Sequence, residues 1–378
     1  MTQSKFKRLT IDEAIQLLSA GKIVALPTET VYGLAGRVDR IETIKSIFEA
    51  KGRPENNPLI CHISSISMLE KYAFIDKDDR RLFQFWPGPF TLLLQRRSTI
   101  PDIITAGSKY CGFRMPNHSL FLEAIEKVGV PLAAPSANQS GETSPVNASM
   151  VESSLGNRIS GVVDGGQCSV GIESTVVLRN ENEIKILRPG VITKSDFERL
   201  DFSVVDNFSN QENSNIKSID KSRSVSRSTG LLAPGQLPVH YAPKSTLLLI
   251  EHIFNFDYWQ KLIHCMQTSS VIDCLEKYWK SNTKLDTEIF ANKTACFIIL
   301  PNTNDEKLQL LEYQQNSRLT IHIPAEPNQL TEFASSLYTS FDQLSSNDRF
   351  LVTFQVENNG IGVAINDRLK RAASYRLS

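Results

Sequence analysis

The chain holds 378 residues, 41% of them hydrophobic, which exceeds the roughly 100 to 200 residues of one typical domain and predicts two. Lys plus Arg and Asp plus Glu both number 41, so the formal net charge is +0, no whole-chain field exists to hold a polyanion, and any nucleic-acid contact has to be local. MTQSKFKRLT lacks the apolar core of a signal peptide, and no apolar run approaches the ~20 residues of a membrane span, so a soluble, cytoplasmic protein without membrane contact is expected.

Thr10 and Glu13 have the spacing of a capping box, which predicts a helix ending near Gly21. Strands follow at IVALP, LICHI, TLLLQ, CGFRM, PLAAP, VVDGG, TVVLR and IKILR. So many strands for so few helices predict an α/β domain with a large mixed sheet. From Asn207 to Thr229, 11 of 23 residues are Ser or Asn, and the large apolar groups are Phe208, Ile216, Ile219 and Val225. Such a stretch cannot bury a core and reads as a linker. Gly230 and Gly235 flank Pro234, so the linker is either a hinged lid or a passive tether.

Beyond it, TLLLI, ACFIIL, LTIHI and FLVTFQV are separated by helical stretches, the rhythm of a parallel, Rossmann-like domain. Leu330, Phe333, Leu337, Phe341 and Leu344 recur at helical spacing and are expected to pack on that sheet. No GxGxxG follows the first strand, so a dinucleotide site has no support there. The expected division is a first domain over 1–206, a linker or lid over 207–244, and a second domain over 245–378. Cys61, Cys111, Cys168, Cys265, Cys274 and Cys296 show no CxxC pair, which predicts reduced core thiols and no metal site.

The densest chemical signal is PTETVYGL at Pro27 to Leu34, where a strand runs into two threonines, a carboxylate and a Tyr-Gly turn. Polar groups at such a strand end face a ligand crevice, or else Thr28 and Thr30 bond their own backbone. KGRPENNPLICHI places Lys51, Arg53, Asn57 and His62 around two prolines. Two cations in a rigid loop suit a polyphosphate, although Lys at a helix end also complements the dipole. His62 points opposite to Cys61 and Ile63 on its strand, and a lone histidine there is more often structural than catalytic.

In TAGSKYCGFRMP, Arg114 lies inside a strand-like run together with an upstream Thr105. A buried guanidinium has to meet an anion, which is either a substrate carboxylate or a structural Asp or Glu. APSANQSGETSP supplies Ser136, Asn138, Ser140 and Ser144 beside small residues that let a ligand approach the backbone. No GxxxxGK[ST] occurs, so any ATP is held without a Walker loop. DGG, GIESTVV with Ser174, and LRPG with Arg188 add polar groups at strand ends.

Taken in order, PTETVYGL, KGRPENNPLICHI, WPGPFTLLL, GFRMP, APSAN, GIESTVV and LRPG resemble the YrdC-type threonylcarbamoyl-AMP synthase family over roughly Ile11 to Leu200. LAPGQLPVHYAP and the closing GVAINDRLKRAA resemble its two-domain form, with GQLPVHYAP departing from the family's linker motif. The resemblance implies a YrdC-like twisted mixed-sheet domain, a linker and a smaller Rossmann-like domain. It implies that L-threonine, bicarbonate and ATP give threonylcarbamoyl-AMP and pyrophosphate, for use by downstream proteins that modify adenosine 37 of tRNA.

By matching positions, Thr28, His62, Arg114, Ala134 and Ser174 would line the threonine pocket. Lys51, Arg53, Asn57, Thr105, Ser136, Ser144, Arg188 and Tyr241 would contact ATP, with Lys51 and Arg53 offsetting triphosphate charge. Mg2+ would accompany the triphosphate, although no protein ligand set is visible. The runner-up is a double-stranded RNA-binding module without catalysis, and weak RNA binding is a further expectation. Neutral charge and the lack of clustered aromatics argue against RNA as the main ligand.

Overall fold

The computed structural model describes residues 6–205, 240–266, 269–279, 285, 287–290, 293–316 and 320–378. The Ser- and Asn-rich stretch and the hinge glycines Gly230 and Gly235 lie outside the described residues. The chain divides into two compact units, Met1–Ser140 with Ser144–Leu237, and Pro238–Ser378 with Gly141–Thr143.

The first unit is built on strands β1 (Arg8–Leu9), β2 (Val24–Leu26), β3 (Gly33–Arg37), β4 (Ile60–His62), β5 (Phe90–Gln95), β6 (Tyr110–Arg114), β7 (Leu132–Ala133), β8 (Val162–Val163), β9 (Thr175–Asn180), β10 (Glu183–Arg188) and β11 (Ser203–Val205). They form one sheet in the order β1-β8-β2-β3-β7-β4-β6-β5-β9-β10-β11. Parallel pairs such as β4 with β6 and β5 with β9 alternate with antiparallel ones such as β5 with β6, so the sheet is mixed as expected. The eight strands read from the sequence are present, and β1, β3 and β11 are additional.

The missed β3, GLAGR, explains itself. Gly36 lies so close to the helix Ile41–Lys51 that an added Cβ would come within 2.7 Å of Thr43 Cγ2. Glycine permits that contact but weakens the strand signal, because it offers no side chain to the pleat. The helix Ile11–Ser19 opens on the anticipated box, with the Thr10 side chain and Glu13 capping each other's backbone N–H. It buries Ala14 and Leu18 against Val24, Leu26 and the helix Ser119–Val128 through Phe121, Ala124 and Ile125.

The second unit carries a five-stranded sheet of β12 (Leu247–Ile253), β13 (Thr294–Ile298), β14 (Thr320–His322), β15 (Arg349–Gln355) and β16 (Tyr375–Leu377), ordered β14-β13-β15-β12-β16. Every pairing is parallel, as the strand–helix alternation requires. Both faces are covered, and Leu248, Ile250, Phe297, Phe350 and Val352 fill the core with Trp259 and Leu262. On the helix Leu330–Leu344, Phe333, Leu337 and Phe341 are buried, whereas Leu330 and Leu344 are half-buried. All six cysteines are free and buried.

Candidate functional site

Strand pleating first brings the sequence-derived residues together. His62 and Arg114 are register partners on the parallel strands β4 and β6, so both side chains leave the same face. Cys61 and Cys111 take the opposite face, where their sulfurs approach to 3.5 Å. The His62 ring packs 5.0 Å from that of Phe121 and is 3% exposed. Burial, followed by the charge of Arg114, pushes the imidazole down to about 3, so it is neutral at physiological pH.

That depression has a consequence for stability. A folded-state value of about 3 against an ordinary 6.5 means that the unfolded chain binds the extra proton, so stability is full above pH 6.5 and falls as the pH drops toward 3. Each unit of that window costs up to about 1.4 kcal/mol. Denaturant unfolding between pH 7 and 4 should therefore show a flatter decline for His62→Gln than for the parent. Burial lowers His118 and His322 in the same direction, and both remain in either protein.

Arg114 meets its anion inside the protein. Its Nη2 lies 2.8 Å from Oε1 of Glu29, its Nε donates to the Gly88 carbonyl at 3.3 Å, and Arg114 and Glu29 are 5% and 7% exposed. Glu29 stands in PTETVYGL, where Thr28 bonds the local backbone and Thr30 Oγ1 pairs with Thr28 Oγ1 at 2.9 Å. Thr28 Oγ1 accepts from the N–H groups of Thr30 and Val31 and donates to the Val31 carbonyl at 2.7 Å. The ion pair is close but poorly directed, since neither the Glu29 oxygens nor Arg114 Nη2 has hydrogen-bond geometry.

A second group orders the loop after β7. Lys51 closes its helix, is 2% exposed, and donates from Nζ to the carbonyls of Ser136, at 2.6 Å, and Asn138. The Ser140 N–H returns a bond to the Lys51 carbonyl at 2.8 Å. Ala134 joins the strand edge by donating to Ile60, and Ser136 bridges to Gly33. Arg53 instead turns on its own loop, donating to Asn57 Oδ1 at 2.6 Å and to the carbonyls of Asn57 and Pro58. Thr105, fully buried, ends the short helix Asp102–Thr105, whose Ile104 carbonyl receives the Leu59 N–H beside that loop.

The third group spans β5, β9 and β10. A register shift between Ile186 and Arg188 marks a bulge, and Arg188 donates to Ser174 through Nε to the carbonyl and Nη2 to Oγ, both at 3.0 Å. Ser174 Oγ also pairs with Thr91 Oγ1 at 2.8 Å. Ser144 donates to Glu173 Oε1 at 2.6 Å. Gly190 is obligatory beside them, because an added Cβ would lie 2.5 Å from the Thr175 nitrogen.

Tyr241 belongs to the second unit. It is fully buried, stacked 5.9 Å from Tyr338, with the Arg368 guanidinium 5.3 Å from its ring centroid. The sequence reading missed Glu29, Thr91 and Glu173 as partners. The available signal for Glu29 was a carboxylate inside a run otherwise suited to burial, and for Thr91 a lone hydroxyl opening TLLL.

Glu29, Asn57, His62, Arg114 and His118 each carry a buried polar atom without a hydrogen-bond partner. Buried polar atoms are nearly always partnered, so the exceptions at Glu29, Arg114 and His62, which the ion pair and the strand register bring together, are candidate contacts for a polar ligand. Among the described residues no group of three or more His, Cys, Asp or Glu is placed to hold a metal ion. Fold and site thus define an α/β ligand-positioning protein built around fixed cations and hydroxyls.

The comparisons with known proteins agree. A family described as telomere recombination matches residues 16–190, and one described as threonylcarbamoyl-AMP synthase, C-terminal domain, matches residues 192–374. The threonylcarbamoyl-AMP synthase of Bacillus subtilis (strain 168) is 32% identical over 371 residues, covering 97% of this chain and 94% of the relative. That of Pyrococcus abyssi (strain GE5 / Orsay) is 38% identical over 240 residues, 63% of this chain and 67% of the relative. The crystal structure of P. abyssi Sua5 complexed with L-threonine is similar with a TM-score of 0.74 and 30% identity, covering 97% of this chain and 96% of that one. The chain belongs to the threonylcarbamoyl-AMP synthase family.

Proposed function

We propose that this protein joins L-threonine, bicarbonate and ATP into threonylcarbamoyl-AMP and pyrophosphate, the labile product passing to proteins that complete tRNA modification at position 37. The observation that carries the reading is the match of nearly the whole chain, across both parts, to threonylcarbamoyl-AMP synthases. The chemistry suits the site, because a carbamate oxygen is already a nucleophile toward the α-phosphorus. The protein then needs mainly to hold two anions in line and offset their charge.

In this reading Arg114 receives the threonine carboxylate, while Thr28, Ala134 and Ser174 wall the pocket with neutral His62. An imidazole that stays uncharged can pair the threonine hydroxyl, and an unmade bond there would reject amino acids that lack it. Lys51 fixes the loop of Ser136, and Arg53, Asn57, Thr105, Ser144 and Arg188 contact the nucleotide. Mg2+ would arrive on the triphosphate, held by phosphate oxygens and water, since the described carboxylates form no ligand cluster. No helix among the described residues is long and apolar enough to cross a membrane, in keeping with a soluble site of action. The comparisons offer nothing toward an RNA-binding module.

The test is pyrophosphate release from ATP and bicarbonate with L-threonine, L-serine, L-valine or no amino acid, the product being weighed by mass spectrometry. Threonine-dependent release with the mass of threonylcarbamoyl-AMP is the expected result. Release that ignores the amino acid would overturn the assignment.

A further inference from the structure

Glu29 is a buried carboxylate whose two oxygens accept no hydrogen bond, although it lies 2.8 Å from the Arg114 guanidinium. The adjacent hydroxyls of Thr28 and Thr30 bond each other at 2.9 Å, and Thr28 also serves the backbone. A structural ion pair would normally bury its carboxylate with directed donors. This one keeps open acceptor positions next to a cation.

That arrangement complements a free α-amino acid. Such a molecule is a zwitterion whose ammonium and carboxylate stand roughly 3 Å apart, so its site needs a cation and a carboxylate side by side. Arg114 and Glu29 are such a pair. The other buried acid of the region, Glu173, already accepts from Ser144 at 2.6 Å.

We propose that Glu29 receives the ammonium group of the amino-acid substrate and takes the proton it must lose before the carbamate forms, an inference that rests on the threonine-carboxylating function proposed above. The proton moves from the ammonium nitrogen to a Glu29 oxygen, leaving a neutral amine with a free electron pair. That pair attacks the carbon of bicarbonate, a nitrogen–carbon bond forms, and a carbon–oxygen bond breaks. The departing hydroxyl leaves as water with a second amine proton, and the carbamate anion remains. Substrate, bicarbonate and ionised Glu29 thus become carbamate, water and protonated Glu29, with charge conserved.

The surroundings make the step readable by pH. The titratable and charged groups that face Glu29 are Arg114, His118 and Cys168, with His62 beyond Arg114. Burial lowers both histidines, leaving them neutral, and raises the Cys168 thiol to about 12. The two histidines and the thiol therefore keep their charge states between pH 7 and 9.5, the range in which a free α-amine, titrating at about 8 or above, supplies its own electron pair.

The experiment is the pH profile of threonine-dependent pyrophosphate release in E29Q, E29D and the parent, with threonine affinity followed by calorimetry and folding by thermal unfolding. E29Q keeps the volume and loses the base, so kcat should fall about 100-fold at pH 7. The deficit should shrink at least about tenfold by pH 9.5 as free amine accumulates. E29D, with its carboxylate drawn back, should show a smaller loss and the same trend, and it carries the reading if E29Q unfolds.

E29Q turnover within about threefold of the parent at pH 7, or a deficit unchanged up to pH 9.5, would overturn the proposal and leave parent activity to support the function itself. Release by the parent that ignores threonine would overturn the functional reading first, and this assignment with it.

Discussion

Arg114→Ala should abolish threonine-dependent pyrophosphate release and also lower folding stability by about 3 kcal/mol, because it strands a charge in the interior. The stability cost follows because Arg114 and Glu29 are both more than nine-tenths buried and 2.8 Å apart. Deleting the guanidinium leaves the carboxylate without its counter-charge, and the protein must either protonate it or admit water. A double-mutant cycle separates the two roles. Arg114→Ala with Glu29→Gln should recover most of the stability in urea unfolding while turnover stays absent. Normal turnover in the single variant would refute the carboxylate clamp, and an unchanged unfolding midpoint would refute the buried pair.

Lys51→Met should reduce turnover about 100-fold or more and cost about 2 to 3 kcal/mol of stability. The lysine stem is buried, so methionine fills much of its volume. The ammonium head is what is lost, and with it the donors that hold the Ser136 and Asn138 carbonyls. The loop between β7 and Ser144 then loses its anchor, and the hydroxyls of Ser136 and Ser144 lose their setting. A steady-state titration with threonine saturating should show a raised KM for ATP as well as a lower kcat. Lys51→Arg should not rescue it, since a planar guanidinium cannot replace a compact ammonium between two carbonyls. Activity near that of the parent in Lys51→Met would mean that the loop holds its shape without the lysine.

Much of this molecule was legible because local rules were obeyed. Thr10 and Glu13 sit three residues apart and cap the first helix. The short apolar runs became strands, and the strand–helix alternation beyond residue 245 became an all-parallel sheet. The sequence singled out Arg114 as a buried charge that has to meet an anion, Lys51 as a cation in a rigid loop and Ser174 as a polar group at a strand end. Periodicity and propensity act over a few residues, so a sequence determines these features by itself.

Partner identities were decided by tertiary structure alone. That Arg114 faces Glu29, that Lys51 grips Ser136 and Asn138, and that Arg188 reaches Ser174 depend on sheet order, loop path and a bulge, none of which a local pattern encodes. The same holds for β3, whose glycines weaken its own strand signal so that a helix can lie against it. Burial completes the difference. A carboxylate in PTETVYGL is only one acid among 41 until the fold removes its water and places a guanidinium beside it. Only then does the energy of an incompletely bonded charge single it out.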